Sequence, residues 1–304
     1  MRIVSLLPSA TEIVYSLGLG DDLVGVTYEC DHPPEARTKP VVSDTALVLE
    51  PGMAAAEIDR QVSERVASGE PLYRLDTVRI GDLQPDLILT QDLCRVCAVP
   101  SGQVEDALAK IGCTAEVVSL DPHSLDDILA GIIEVGGRAG VAERAAELVD
   151  GLRARIAAVE DVARSLPRVA TVTLEWLDPP FAGGHWVPEM VERAGGTHPL
   201  VGAGEPSPRV SWEDVAAAAP EVVVAMPCGY DLAAARAEAA AILPGLPAVA
   251  ESPAGKAGRV FAVDANGYYS RSGPRVVDGL EALAWALHPD SFPAPSETVI
   301  ASIG

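Results

Sequence analysis

Five cysteines and a small set of aromatic side chains carry the chemistry available to this 304-residue sequence. Cys94 and Cys97 have the C-x-x-C spacing of half a zinc knuckle or of a dithiol redox pair. Cys30 and Cys228 stand alone, and Cys113 lies in Ile111-Gly112-Cys113-Thr114, a setting that reads as simple burial. If Cys30 and Cys228 join Cys94 and Cys97, four thiolates form a soft site suited to zinc or an iron–sulfur cluster. Three readings stay open: unliganded thiols lining a pocket, ligands to a metal or cofactor, and redox or nucleophilic groups. His185 is a candidate donor to a metal and equally a hydrogen-bonding loop histidine. His32 and His123 border prolines in turns and read as structural. Arg271 follows two tyrosines and is suited to a carboxylate, amide or phosphate. Glu175 beside Trp176 can accept from a ligand amide or satisfy an internal partner. No Ser/His/Asp or paired-carboxylate arrangement names a reaction.

The elements that position these residues repeat. Arg2-Ile3-Val4 opens a strand, followed by Glu12-Ile13-Val14, Gly18 and Leu23-Val24-Gly25; Arg168-Val169-Ala170 begins the same order, with Glu189-Met190-Val191, Gly195-Gly196 and Leu200-Val201-Gly202. Asp82-Leu83-Gln84-Pro85-Asp86-Leu87-Ile88-Leu89 is answered by Asp214-Val215 and Pro220-Glu221-Val222-Val223-Val224. In each, proline ends a helix and an acidic residue leads into a buried strand. The pattern predicts an α/β chain of two parallel-sheet, Rossmann-like lobes, residues 1–123 and 167–304, each strand–helix–strand–helix–strand. Residues 124–166 are expected to be connecting helices, starting at Ser124 as cap with Asp127 in the capping-box position and stopping at Pro167. A segment at about 49–75 has no counterpart in the second lobe and reads as an inserted helix and loop, a candidate lid.

Open parallel sheets bind ligands beyond the carboxyl ends of their strands. Those positions hold Ser9, then Tyr28-Glu29-Cys30, then Asp92 with Cys94 and Cys97 in the first lobe. In the second they hold Glu175-Trp176, His185-Trp186, Cys228 with Tyr230, and Asn266 with Tyr268, Tyr269 and Arg271. Aromatics are only 4% of the chain, yet about half of them fall in these segments. Each buried aromatic is worth about 1.5–3 kcal/mol, so placing them on loops implies something for them to meet. Packing of lobe against lobe is the alternative.

A formal net charge of −22 argues against nucleic acid, which needs clustered Lys and Arg, and against an anionic membrane surface. No apolar stretch approaches the ~20 residues of a membrane span, so no membrane insertion is expected. An odd cysteine count does not fit a secreted disulfide framework, and Ile3–Leu7, ended by Pro8, is too short for an export signal. If Met1 is the natural start, these features predict a cytoplasmic protein.

Arg2-Ile3-Val4-Ser5-Leu6-Leu7-Pro8-Ser9-Ala10-Thr11-Glu12, Leu23-Val24-Gly25-Val26-Thr27 and Asp31-His32-Pro33-Pro34 resemble the opening of cobalamin-binding substrate-binding proteins of ABC importers. Leu83–Ile88, Asp178-Pro179-Pro180-Phe181-Ala182-Gly183-Gly184 and Val210-Ser211-Trp212-Glu213-Asp214-Val215 resemble the same family, so the likeness spans nearly the whole chain outside the insert. The resemblance implies the class III periplasmic-binding-protein fold, two lobes joined by a long rigid helix, an architecture shared by haem and ferric-siderophore binders. It implies cobalamin or a related corrinoid as a small-molecule ligand in the interlobe cleft, with Tyr28, Trp176, Trp186, Tyr230, Tyr268 and Tyr269 as apolar walls. Ser9, Glu175, Asn266 and Arg271 are the expected polar contacts, and His185 a candidate donor to the cobalt. Of the two acidic residues with which the family docks its permease, Glu213 matches the second, whereas Val78 stands at the first. That departure leaves docking to an ABC permease doubtful. The alternative to a binding protein is a cysteine- or metal-dependent enzyme on the same scaffold.

Overall fold

Short apolar runs rich in Val and Ile become the central strands, because only strands buried on both faces tolerate such continuous hydrophobicity. The computed structural model describes residues 1–49, 53–93 and 98–303. It divides into two units, one made of Met1–Pro122 with Leu129–Val149, the other of His123–Ile128 with Asp150–Gly304.

The first unit holds strands β1 (Ile3–Ser5), β2 (Leu23–Thr27), β3 (Val41–Thr45), β4 (Tyr73–Leu75), β5 (Leu87–Thr90) and β6 (Glu116–Ser119). Their order in the sheet is β4-β3-β2-β1-β5-β6. All neighbours are parallel except β3 and β4. Helices α1 (Pro8–Ser16), α2 (Ala55–Ser68), α3 (Thr77–Leu83) and α4 (Ser101–Ile111) connect them. The segment expected as an inserted helix and loop contains α2, but it ends in β4, which pairs antiparallel with β3 through Ser43, Asp44 and Thr45. Tyr73 is buried there and joins the core under the sheet edge.

Two helices follow, α5 (Leu125–Arg138) and α6 (Ala142–Ala163). The Ser124 hydroxyl accepts from the Asp127 N–H at 3.1 Å, and the Asp127 carboxylate accepts from the Ser124 N–H at 3.0 Å, a reciprocal cap. The connecting segment is not a separate body. Leu129–Val149 group with the first unit, whereas His123–Ile128 and the residues from Asp150 onward group with the second.

The second unit contains β7 (Val169–Leu177), β8 (Pro180–Ala182), α7 (Val187–Arg193), β9 (Gly196–Thr197), α8 (Trp212–Ala217) and β10 (Val222–Ala225). Beyond them lie α9 (Leu232–Ile242), α10 (Pro247–Ala250), α11 (Pro253–Lys256), β11 (Val260–Val263), α12 (Ala265–Tyr268), α13 (Val276–Leu287) and β12 (Ile300–Ser302). The sheet runs β12-β11-β10-β7-β8, with β9 beside β7. β10 lies parallel to β7 and β11, while β8 and β12 are antiparallel edges.

The repeated Pro-acid-apolar signature has one structural meaning in both units. Asp86 accepts from the Arg2 N–H at 2.7 Å while its own N–H donates to the Arg2 carbonyl at 2.8 Å. Glu221 accepts from the Ala170 N–H at 3.0 Å and donates to the Ala170 carbonyl at 2.7 Å. Each acid therefore sets the register of a central strand against its neighbour. The expected strand at Leu200-Val201-Gly202 is absent, and the chain turns there, with the Gly202 N–H bonded to the Glu205 carboxylate at 3.2 Å. Pro199 offers no N–H to a ladder, and the flank of β7 is already occupied by β8.

His198, just before that turn, is packed against β7. The Thr173 N–H donates to its Nε2 at 3.2 Å, and the Thr173 hydroxyl lies 2.8 Å from the same atom. Burial pushes the imidazole down to about 4. The folded state thus refuses a proton that the unfolded chain takes up near pH 6.5, so stability present above that pH is lost as the pH falls toward 4. The loss is on the order of 3 kcal/mol. Urea denaturation at pH 7 and at mildly acid pH is expected to show a smaller acid loss in His198→Asn than in the wild type.

Gly136 on α5 offers a second test, because a Cβ there would collide with the Ala145 Cβ of α6. Its neighbour Gly137 has nothing within 4 Å. Gly136→Ala is expected to cost about 1–3 kcal/mol through overpacking, whereas Gly137→Ala gains up to ~1 kcal/mol of helix propensity. Thermal or urea unfolding of the two variants reads the opposite signs.

Candidate functional site

The second unit gathers the richest set of expected residues at the carboxyl end of its sheet. β7 runs as far as Leu177, so Glu175 and Trp176 are strand residues rather than loop residues. The antiparallel β8 holds them there, pairing Trp176 with Phe181 and Leu177 with Pro180. After β10 the chain continues along the same strand: the Met226 N–H donates to the Leu174 carbonyl at 2.8 Å and the Cys228 N–H to the Glu175 carbonyl at 3.0 Å. Tyr230 then turns back, and its carbonyl accepts from the Asn266 N–H at 3.0 Å. Trp176 and Tyr230 meet edge to face with ring centroids 5.9 Å apart, and the Trp176 indole donates to the Asp178 carbonyl at 3.1 Å. The Cys228 thiol lies 3.4 Å from the Ser270 hydroxyl.

Glu175, Trp176, Cys228, Tyr230 and Asn266 are thus brought together. Trp176, Tyr230 and Asn266 are half-buried and Cys228 is exposed. Such a patch can stack a flat apolar surface against the rings and offer polar groups at its margin. Burial and Glu238 push the Tyr230 phenol up, keeping it neutral. Tyr268 is half-buried, with the Arg275 guanidinium 5.2 Å from its ring centre.

Three expected wall and contact residues lie inside the unit instead. Trp186 is 6% and Tyr269 2% exposed; the Trp186 indole donates to the Tyr269 carbonyl at 3.0 Å, and the Tyr269 hydroxyl donates to the Gly279 carbonyl at 2.8 Å. Both polar tips are answered internally, which is how buried aromatics of this kind are held. Arg271 is also buried, with Asp264 nearby. His185 sits in the left-handed region at φ 53°, its N–H bonded to the Glu205 carbonyl at 2.6 Å. Its ring is 6.3 Å from that of His123, and burial, then His123, push the imidazole pKa down.

In the first unit, Ser9 is buried in the first turn of α1, and the Tyr28 ring is partly exposed after β2. Burial and then Glu29 push the Tyr28 phenol well above its usual range. Cys30 is 3% exposed, with its sulfur 3.0 Å from the Thr11 hydroxyl, so it lines no open surface. Asp92 accepts from the Ser101 N–H at 2.8 Å and hydroxyl at 2.5 Å, and from the Ser119 hydroxyl at 3.2 Å. That carboxylate holds the start of α4. Cys94 and Cys97 lie outside the described residues. Among the described residues, no group of three or more His, Cys, Asp and Glu side chains could hold a metal ion. Cys30 and Cys228 belong to different units.

One residue escaped the sequence reading. Glu238 lies in the alanine-rich α9, and its Oε2 is buried with no hydrogen-bond partner among the described residues. Only its burial beside Asp178 and Tyr230, which no local pattern encodes, distinguishes it.

A model of the family described as "periplasmic binding protein" matches residues 3–266. An uncharacterized ABC transporter substrate-binding lipoprotein of Bacillus subtilis is 27% identical, covering 96% of this chain and 81% of its own length. A vitamin B12-binding protein of Vibrio cholerae is also 27% identical, with 94% of this chain and 88% of that protein covered. The crystal structure of a periplasmic heme binding protein from Pseudomonas aeruginosa superposes with a TM-score of 0.72 at 24% identity, covering 99% of this chain and 97% of its own. These relatives overturn the expected cytoplasmic location, since one is a lipoprotein and another a periplasmic protein. Thiol count and a short apolar start were too indirect to decide a compartment.

The burial of the described cysteines predicts their reactivity. In native protein treated with an aromatic disulfide reagent, Cys228→Ser is expected to remove one fast-reacting thiol. Cys30→Ser is expected to leave the fast count unchanged and to lower only the count in denaturant.

Proposed function

The chain belongs to the periplasmic binding protein family, and from that premise we propose that it captures a corrinoid, or a similarly large planar tetrapyrrole, outside the cytoplasm for import. The observation that carries this reading is the Trp176–Tyr230 pair at the carboxyl end of the second unit's sheet, ringed by Glu175, Cys228 and Asn266. Two aromatic faces fixed by hydrogen bonds of the surrounding backbone suit a rigid, largely apolar ligand edged with polar groups. The relatives named for vitamin B12 and for heme support this ligand class. In this reading Cys228 borders the ligand as an accessible thiol.

Titration of the protein with cyanocobalamin and with haemin, followed by absorbance and calorimetry, tests the proposal. One of the two is expected to bind with a dissociation constant in the micromolar range or below. Trp176→Ala is expected to weaken that binding by about 10–100-fold, the equivalent of about 1.5–3 kcal/mol of aromatic burial. Failure of both ligands to bind at about 100 µM, which corresponds to less than ~5.5 kcal/mol of affinity, would sink the reading.

A further inference from the structure

Glu238 presents a carboxyl in search of a partner. Its Oε2 is buried with no hydrogen bond among the described residues. Glu238 as a whole is half-buried, and burial of this oxygen without a donor favours the protonated carboxyl over the carboxylate. The elements packed most closely against α9 are β10, β11, β12 and the 3-10 turn Leu243–Gly245. None of these carries an ionisable side chain. One turn away on α9 itself stand Ala234, Ala235, Ala241 and Ile242, while Arg236, two residues off, does not share that face. The ionisable groups that face Glu238 are Asp178 and Tyr230, and Asp231 caps the helix start, its side chain engaged with the Ala234 N–H. Burial first, and Asp178 second, hold the Glu238 carboxyl above the usual carboxylate range.

The neighbours matter because both belong to the aromatic wall. Tyr230 is one of its two rings, and the Asp178 carbonyl holds the indole of the other. We propose that Glu238 is a proton-linked positioning residue, neutral when the Trp176–Tyr230 wall is seated for ligand, and repelling Asp178 and loosening that wall when it loses its proton to solvent. The coupling to affinity rests on the reading of this wall as the ligand contact; the movement of the wall does not. Because the folded state favours the protonated carboxyl, the stability it contributes is present at low pH and lost as the pH rises through the folded-state value.

The test uses the full chain without ligand, following tryptophan emission from about pH 4 to about pH 8. The wild type is expected to show a transition above the ordinary carboxylate range that is absent in Glu238→Gln and in Trp176→Phe. Glu238→Gln is also expected to melt roughly 2 °C or more above the wild type at the alkaline end, with no gain at the acid end. The cyanocobalamin dissociation constant should rise about 5-fold across that range in the wild type, roughly 1 kcal/mol, and stay flat in Glu238→Gln. A wild type without the emission transition, or a Glu238→Gln variant that retains it, overturns the proposal. A transition with a pH-independent dissociation constant overturns the coupling to ligand. Should neither cyanocobalamin nor haemin bind while the Glu238-dependent transition is present, the ligand assignment falls and the proton-linked wall stands.

Discussion

Both sheets depend on central strands that are buried on each face. Ile3, Val4 and Ser5 of β1 and all four residues of β10 have essentially no exposure. A strand in that position has no free side chain with which to meet a ligand, and its backbone groups are spent on its neighbours. What remains for recognition is the end of the strand, where the ladder stops and the chain must turn. Trp176 and Glu175 near the end of β7, Cys228 and Tyr230 after β10, and Asn266 after β11 are concentrated together for that reason. The chemistry of the site follows from the hydrophobicity of what lies beneath it.

The same constraint demands accurate register, since a slip in a buried strand misplaces everything beyond it. Asp86 and Glu221 supply it at the opposite ends of the strands, each gripping both the N–H and the carbonyl of a residue on the neighbouring chain segment. A strand pinned by a bidentate acid at its start delivers its last residue to a defined place. Glu221, at the start of β10, lies at the opposite end of that strand from the aromatic wall and still contributes to its geometry.

Much of this was legible because it is local. The valine-rich runs, the Pro-acid signature and the Ser124–Asp127 cap are decided by residues a few positions apart, and each has the geometry that its spacing implies. Leu200-Val201-Gly202 looked like Leu23-Val24-Gly25, yet a strand needs a vacant flank, and β8 had taken it. In the sequence, Trp186 and Tyr269 follow apolar strand patterns just as Trp176 and Tyr230 do. Their sequence neighbourhood does not reveal that the indole and phenol find acceptors inside the fold. Glu238 is the opposite case, an unremarkable glutamate among alanines until tertiary packing sets it beside Asp178. Side-chain function at this end of the sheet is a property of long-range packing, which spacing alone does not encode.

Trp186 and Tyr269 also shape how such a sequence can drift. Trp186 donates to the backbone of Tyr269, and Tyr269 donates to the backbone of Gly279, so the entry to α7, the exit of α12 and the body of α13 are tied by two successive donors. Replacing Trp186 removes the donor to the buried Tyr269 carbonyl, and replacing Tyr269 removes the side-chain tie to α13. The two side chains therefore act in series, and a change at either one loosens a link among the three helices. Trp176 and Tyr230 are only half-buried and carry no such buried tie between helices.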